Sequence, residues 1–375
     1  MQRKVKPAVE QEISRGGTSW RLIRNLTQCA WPRLYPVPRS GTASRKKISE
    51  SNLKSLPRAI LLAAVALSGA AMAQGAARPC GYTDLMPVYR EFALRTASLS
   101  PEGRAAAFIK EIAARYPDYY APEIYGDPAK LQERAVRFFD PVKRAAFFQG
   151  VAPVTDEQVR EMGSIIGREF LQQQRRFMRT FTDFQCRTTV EFAVSLLKFD
   201  GHPADFGGKQ HLLFGVEMIA AFHGAEDMPA FFDHEIFHIY HKQLLTTQLH
   251  EDEAPAWVTM WVEGLATYVS QRMNPQLDAQ QVLWFPRDLV ARMNSETSRA
   301  ARLLLRDIDK TDAEGDRWFL ASTRVEGLPE RAGYYLGYLF AQSVGEHAKL
   351  PALARMPLEE VHEKERAFLA ELARK

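Results

Sequence analysis

The 375-residue sequence lacks a bilayer-length apolar run, because the stretch from Ala59 to Leu67 falls well short of the roughly 20 residues a permanent membrane span needs. It has no internal repeat, and no linker long enough to demand a second independent domain. It also lacks the composition of a fibrous or wholly disordered protein. With 46% apolar and 25% charged residues it has material for a substantial core. A basic excess is missing from most of the chain. Residues 1–73 hold 13 Lys and Arg against 3 Asp and Glu; of totals of 49 and 45 this leaves 36 and 42, a net charge of −6 for the remainder. A nucleic-acid partner therefore loses its main electrostatic support.

What is present at the N-terminal end has the design of an export signal. Basic residues end in Lys54 and Arg58, the apolar run follows, and small residues lead to Ala71, Met72 and Ala73. Cleavage is expected after Ala73, leaving a periplasmic or secreted protein. The polar, Arg- and Ser-rich residues 1–52 lengthen this leader far beyond the usual form; a misassigned start codon is the preferred expectation and a disordered extension the competing one. Gln74 rather than a cysteine directly follows the cleavage site, which argues against a lipid anchor. Cys29 goes with the leader, so Cys80 and Cys186 remain as an even pair in an oxidising compartment, and both a disulfide and two free thiols are open readings.

The rest reads as helices around one β interlude. Helical spacing runs from Tyr82 to about Ser98. A helix starts at Ser100 with Pro101 in its first turn, another covers Ala129 to Gln149 with a break near Pro141, and a long one covers Asp156 to Phe184, capped by Thr155 and Gln158. The segment TTVEFAVSLLKF from Thr188 is β-rich, Gly201 to Gly208 reads as a glycine-rich loop, and HLLFGVEMIA reads as a second strand. Such strands place a sheet edge beside the histidines that follow, where an extended substrate could pair. Further helices are expected at Pro229–Leu245, Ala256–Met273, Pro275–Met293, Glu296–Ile308, Glu330–His347 and Leu358–Ala373. The fold class is α+β and mainly helical. Its parts are a removed extension (1–73), a helical N-terminal lobe (74–187), and a core with C-terminal helices (188–375).

The segment FFDHEIFHIYHKQ contains His234, Glu235 and His238 as H-E-x-x-H. Four residues are just over one helical turn, so both imidazoles face the same way. Two nitrogen ligands on a rigid face suit Zn(2+), and Glu235, beside the first ligand, can reach a water on that metal and act as base. Glu263, 25 residues after His238 in WVTMWVEGLATYVS, supplies a third ligand if the polar turn around Glu251, Asp252, Glu253 and Pro255 reverses the chain. Gly264 and Ala266 are small enough to let the two ligand helices approach.

H-E-x-x-H followed on a second helix by E-G-L-A-T-Y resembles the gluzincin branch of the zincin metallopeptidases. The resemblance covers about residues 188–345. It implies a zincin-like core, zinc ligands His234, His238 and Glu263, Glu235 as general base and then acid toward the leaving amine, and a peptide or protein substrate. Similar families carry G-Y-x-x-G-Y on a late helix, matched by Gly333, Tyr334, Gly337 and Tyr338. This makes Tyr334 the first choice, and Tyr335 the second, for the donor that stabilises the oxyanion. Thermolysin-like members carry an aspartate four residues after the ligand glutamate, and here that position is Thr267. Thr267 and Asp233 are both open as partners of the ligand histidines. His241 reads as a non-ligand, and His202, His211 and His223 as ordinary polar residues. Met260, Trp257 and Trp261 read as core under Glu263. The alternative function is a catalytically silent zincin-fold protein that binds a partner, against which Glu235 argues.

Overall fold

The structure is a computed structural model that describes residues 77–148, 153–206, 208–245 and 254–375. The leader, its cleavage site and Cys29 lie outside the described residues, as do Glu251, Asp252 and Glu253 of the expected turn. The chain is mainly helical, with a small mixed sheet of four strands: β1 (Gly81–Asp84), β2 (Thr189–Ala193), β3 (Gly201–Phe206) and β4 (Lys209–Gly215). The strand order is β1-β2-β4-β3; β1, β2 and β4 are parallel and β3 runs antiparallel to β4 on the edge.

Five helices follow β1: α1 (Met86–Arg95), α2 (Pro101–Glu111), α3 (Pro122–Tyr125), α4 (Pro128–Phe139) and α5 (Pro141–Phe147). The long α6 (Asp156–Thr180) then leads to the sheet. Local chemistry sets these boundaries. Ser100 accepts from the Gly103 amide, Asp140 caps the helix that Pro141 opens, and Thr155 and Gln158 form the reciprocal capping box at the start of α6. After β4 come α7 (Val216–Phe222), α8 (Gly224–Leu245), α9 (Ala256–Met273), α10 (Ala279–Leu283), α11 (Leu289–Asn294), α12 (Thr297–Asp307), α13 (Asp312–Asp316), α14 (Ala332–Gly345), α15 (Leu350–Leu353) and α16 (Leu358–Leu372). No helix among the described residues is long and apolar enough to cross a membrane.

Four expectations are corrected. The strand expected over HLLFGVEMIA ends at Gly215, and Val216 to Ala220 lie in α7. Tyr82 to Asp84 form strand rather than helix, because they pair in register with Val190 to Phe192. Gly201 to Phe206 form the edge strand rather than a loop; Pro203 is tolerated there because an edge strand has one side free of ladder bonds. The helix expected over Pro275–Met293 is broken between Leu283 and Leu289, where Pro286 disfavours helix in the residue before it. The sheet also crosses residue 187, since β1 from the N-terminal lobe pairs with β2.

One sheet face carries Phe192 and Phe214, whose rings stack at 5.3 Å and meet Phe170 of α6 and Phe232 of α8 edge-on. The sheet thus packs directly on the helix bearing the histidines. The Phe214 carbonyl on β4 and the Val194 and Ser195 carbonyls just past β2 accept from the hydroxyls of Tyr119, Tyr120 and Tyr125 respectively. Leu196 and Leu197 beyond them have φ of 56° and 61°, in a region that costs a branched side chain energy. Glu217, fully buried, holds this turn by accepting from the amides of Ser195 and Leu197 and from the Ser195 hydroxyl. The turn delivers the chain to Asp200 and the edge strand.

Cys80 and Cys186 form a disulfide, so of the two open readings the bridged one holds. It joins the residue before β1 to the approach to β2 across a separation of 106 residues. Replacing both cysteines by serine is expected to lower unfolding free energy by about 2–5 kcal/mol in denaturant titration, because the unfolded chain regains the freedom of a long closed loop.

Glu365 on α16 is fully buried, and neither carboxylate oxygen has a partner among the described residues. Burial lifts its carboxyl well above 4.5. A group whose pKa is higher folded than unfolded contributes stability that is complete below the unfolded value and lost as pH rises toward the folded one. Stability should therefore fall as pH rises above about 4.5 toward the raised folded value, and Glu365→Gln should remove that slope. Glu365→Leu should gain about 1–3 kcal/mol at pH 8, measured by denaturant unfolding.

Candidate metal centre

Helix α8 places His234 and His238 one turn apart, and both are buried. Helix α9 runs antiparallel beside it. The Ser270 hydroxyl donates to the Ala230 carbonyl at 2.7 Å, and the Asn274 amide donates to Asp233 at 2.8 Å. This pairing sets Glu263, also fully buried, against the two imidazoles. The Nε2 atoms of His234 and His238 are 2.9 Å apart, and Oε2 of Glu263 lies 3.3 Å from the first and 3.4 Å from the second. Zinc bonds of about 2.0–2.1 Å in a tetrahedral arrangement put neighbouring ligand atoms about 3.3 Å apart. The three atoms are therefore spaced as one cation would hold them. They form the one group among the described residues whose His, Cys, Asp and Glu atoms gather in this way.

The protonation states agree with that use. Burial pushes the His234 imidazole down to about 4, helped by the His238 charge beside it and opposed by Glu263. Burial alone would raise Glu263, but the charges and hydrogen bonds of His238 and His234 outweigh it and hold the carboxyl at about 2. Burial also works against a charged His238, yet Glu263 outweighs it and lifts that imidazole above its ordinary value. Near neutral pH the cluster contains an ionised carboxylate and an unprotonated His234 nitrogen, and a metal entering it competes with protons for the His238 nitrogen.

Glu235 follows His234 on α8 and is 4% exposed. Gly201, the first residue of the edge strand, lies against it: a Cβ at position 201 would sit 3.3 Å from the Glu235 carboxyl carbon. The sheet edge thus reaches the site through a residue with no side chain. The preceding Asp200 accepts from the Gly201 amide at 2.9 Å and meets His223 Nε2 at 3.0 Å.

Other expectations divide. Thr267 donates to the Glu263 carbonyl, and Asp233 accepts from Gln173 and Asn274, so neither binds a ligand imidazole. Burial lifts Asp233 to about 7, with Asn274 and Gln173 opposing. Gly264 faces α14 rather than α8, where a Cβ would lie 2.2 Å from the Gly337 carbonyl carbon. Tyr334 sits on α14 three residues before that contact, buried, with Phe319 edge-on at 6.0 Å. Tyr335 is committed elsewhere, donating to Asn294 at 3.0 Å. His241 is buried beside Phe237 and Trp261 and stays outside the ligand group. His211 pairs with Glu191 and His202 stacks on Phe199, and neither belongs to the candidate ligand group. Met260 and Trp261 are fully buried in the core, whereas Trp257 is half-buried and stacks on His362.

Two neighbours of the site carry no motif. Trp284, in the break between α10 and α11, puts its ring 5.3 Å from His234 and 5.0 Å from His223, both edge-to-face. Arg331 caps α14 with φ of 59°, and its charge reaches His234, where it disfavours protonation. An aromatic residue before Phe-Pro and an arginine before Ala-Gly-Tyr-Tyr give no local signal, because their roles depend on long-range placement. Comparison with protein-family models, with curated proteins and with solved structures found no match for this chain.

Proposed function

We propose that the protein is an exported zinc-dependent hydrolase with a gluzincin-like centre, and that its substrates are peptides. The observation that carries this reading is the convergence of His234, His238 and Glu263 at zinc-ligand spacing, with Glu235 adjoining them and outside the ligand set. When bound, zinc supplies Lewis acidity toward a carbonyl oxygen and toward water.

The chain's own residues do the rest. Glu235 takes a proton from the attacking water as its oxygen bonds to the scissile carbonyl carbon. It then returns that proton to the amine nitrogen as the C–N bond breaks. Tyr334 is the proposed hydrogen-bond donor to the negative charge that develops on the carbonyl oxygen. Glu235 is shielded by the edge strand at Gly201, which favours proton transfer over loss to bulk water. The Cys80–Cys186 disulfide supports an extracytoplasmic location, where such a bond persists.

The test is metal analysis of the purified protein together with digestion of a peptide library. About one zinc per chain and library cleavage that stops on chelation are expected. A chain that binds no zinc, or cleavage indifferent to chelation, overturns the proposal.

A further inference from the structure

Most buried charges in this fold have an answer. Asp200 meets His223, Glu191 meets His211, and Glu217 is saturated by Ser195 and Leu197. Arg331 is different. It is 4% exposed, its Nη1 donates only to the carbonyls of Leu283 (3.3 Å) and Phe285 (3.1 Å), and its Nε has no partner among the described residues. Both acceptors are neutral. The neighbouring Glu330 is engaged by Arg324 at 2.6 Å, so it does not supply the counter-charge.

A second positive feature meets the first. Arg331 is the residue before α14, a helix of 14 residues with no side-chain cap and no acidic residue in its first turn. The partial positive charge of that helix end therefore adds to the guanidinium. A buried cation without an anion is unfavourable, and two positive features together are more so, unless an anion arrives from outside.

The location says which anion. Leu283 and Phe285, which Arg331 holds, flank Trp284, whose ring contacts His234. The guanidinium carbon lies 3.9 Å from the ring centroid of Tyr334. An anion on Arg331 thus lies on the side of the candidate centre lined by Trp284 and Tyr334. The planar fork of arginine matches a carboxylate in two parallel hydrogen bonds.

Resting on the peptidase reading above, we propose that Arg331 binds the C-terminal carboxylate of the substrate, so that the enzyme removes residues from the C-terminal end of peptides. Its role is in binding and specificity, while Glu235 handles the protons.

The test uses the zinc-loaded protein and three versions of one short peptide: a free C-terminal acid, its amide, and an amide with glutamate just after the scissile bond. The free acid is expected to exceed the plain amide by about 10- to 100-fold in kcat/KM. In Arg331→Gln the ratio of acid to amide should collapse to about one, with the change mainly in KM. Equal cleavage of acid and amide by the wild-type protein overturns the proposal without reference to any variant, so a misfolded Arg331→Gln does not shelter it. A ratio that survives in folded, zinc-loaded Arg331→Gln also overturns it. Cleavage of the glutamate amide as fast as the free acid overturns the C-terminal assignment, since a side-chain carboxylate then serves. A zinc-loaded protein that cleaves none of these peptides, nor any in a library, fails at the peptidase reading instead.

Discussion

Glu235→Gln is expected to retain about one zinc per chain while losing peptide hydrolysis by about 10²–10⁴-fold. The amide is nearly the same size as the carboxylate, so the contact with Gly201 is kept. The proposed ligand set of His234, His238 and Glu263 does not include residue 235. What is lost is the ability to accept a proton, and kcat should fall with little change in KM. Zinc content and kcat measured on the same preparation check both halves. Loss of zinc in this variant would mean that Glu235 is itself a ligand.

The second large effect concerns stability and metal together. Gly264 lies beside Glu263, and its α-carbon faces the backbone of α14 at Gly337. A Cβ there would come within 2.4 Å of the Gly337 oxygen as well as its carbonyl carbon, and neither can swing aside as a flexible side chain could. Gly264→Val must push α9 and α14 apart, at a cost of about 3 kcal/mol or more. Because α9 also carries the third proposed ligand, a shift of a few tenths of an ångström there moves Glu263 relative to two histidines fixed on another helix. Thermal unfolding should show the stability loss, and competition with a chelator should show weaker zinc binding. Unchanged melting would remove the close helix contact from the account.

The H-E-x-x-H spacing was legible because helical periodicity needs only local sequence. The same holds for α9, whose expected bounds Ala256–Met273 match the structure, and for the caps at Ser100 and Thr155. Glu263 was legible as a candidate, but its arrival at the histidines depends on the antiparallel pairing that Ser270 and Asn274 secure. The edge strand was misread because glycine and proline at 201 and 203 signal a loop when taken locally; pairing with Leu212 and Phe214 overrides that signal. Gly264 was assigned to the wrong neighbour for a related reason. Its smallness is visible in sequence, whereas the helix it touches is fixed by the packing of α14, about 70 residues later. Trp284 and Arg331 were not legible, since each matters through a contact made at long range.

The bridge between Cys80 and Cys186 encloses most of the helical lobe in a covalent ring. A chain proposed to cut peptides is exposed to its own activity. A single cut inside that ring leaves the two pieces attached to each other, with β1 still tethered next to β2. Nicked protein then keeps the mass of the whole chain plus one water until a reductant separates the fragments, so damage in the lobe need not release the helix of His234 and His238 from its sheet.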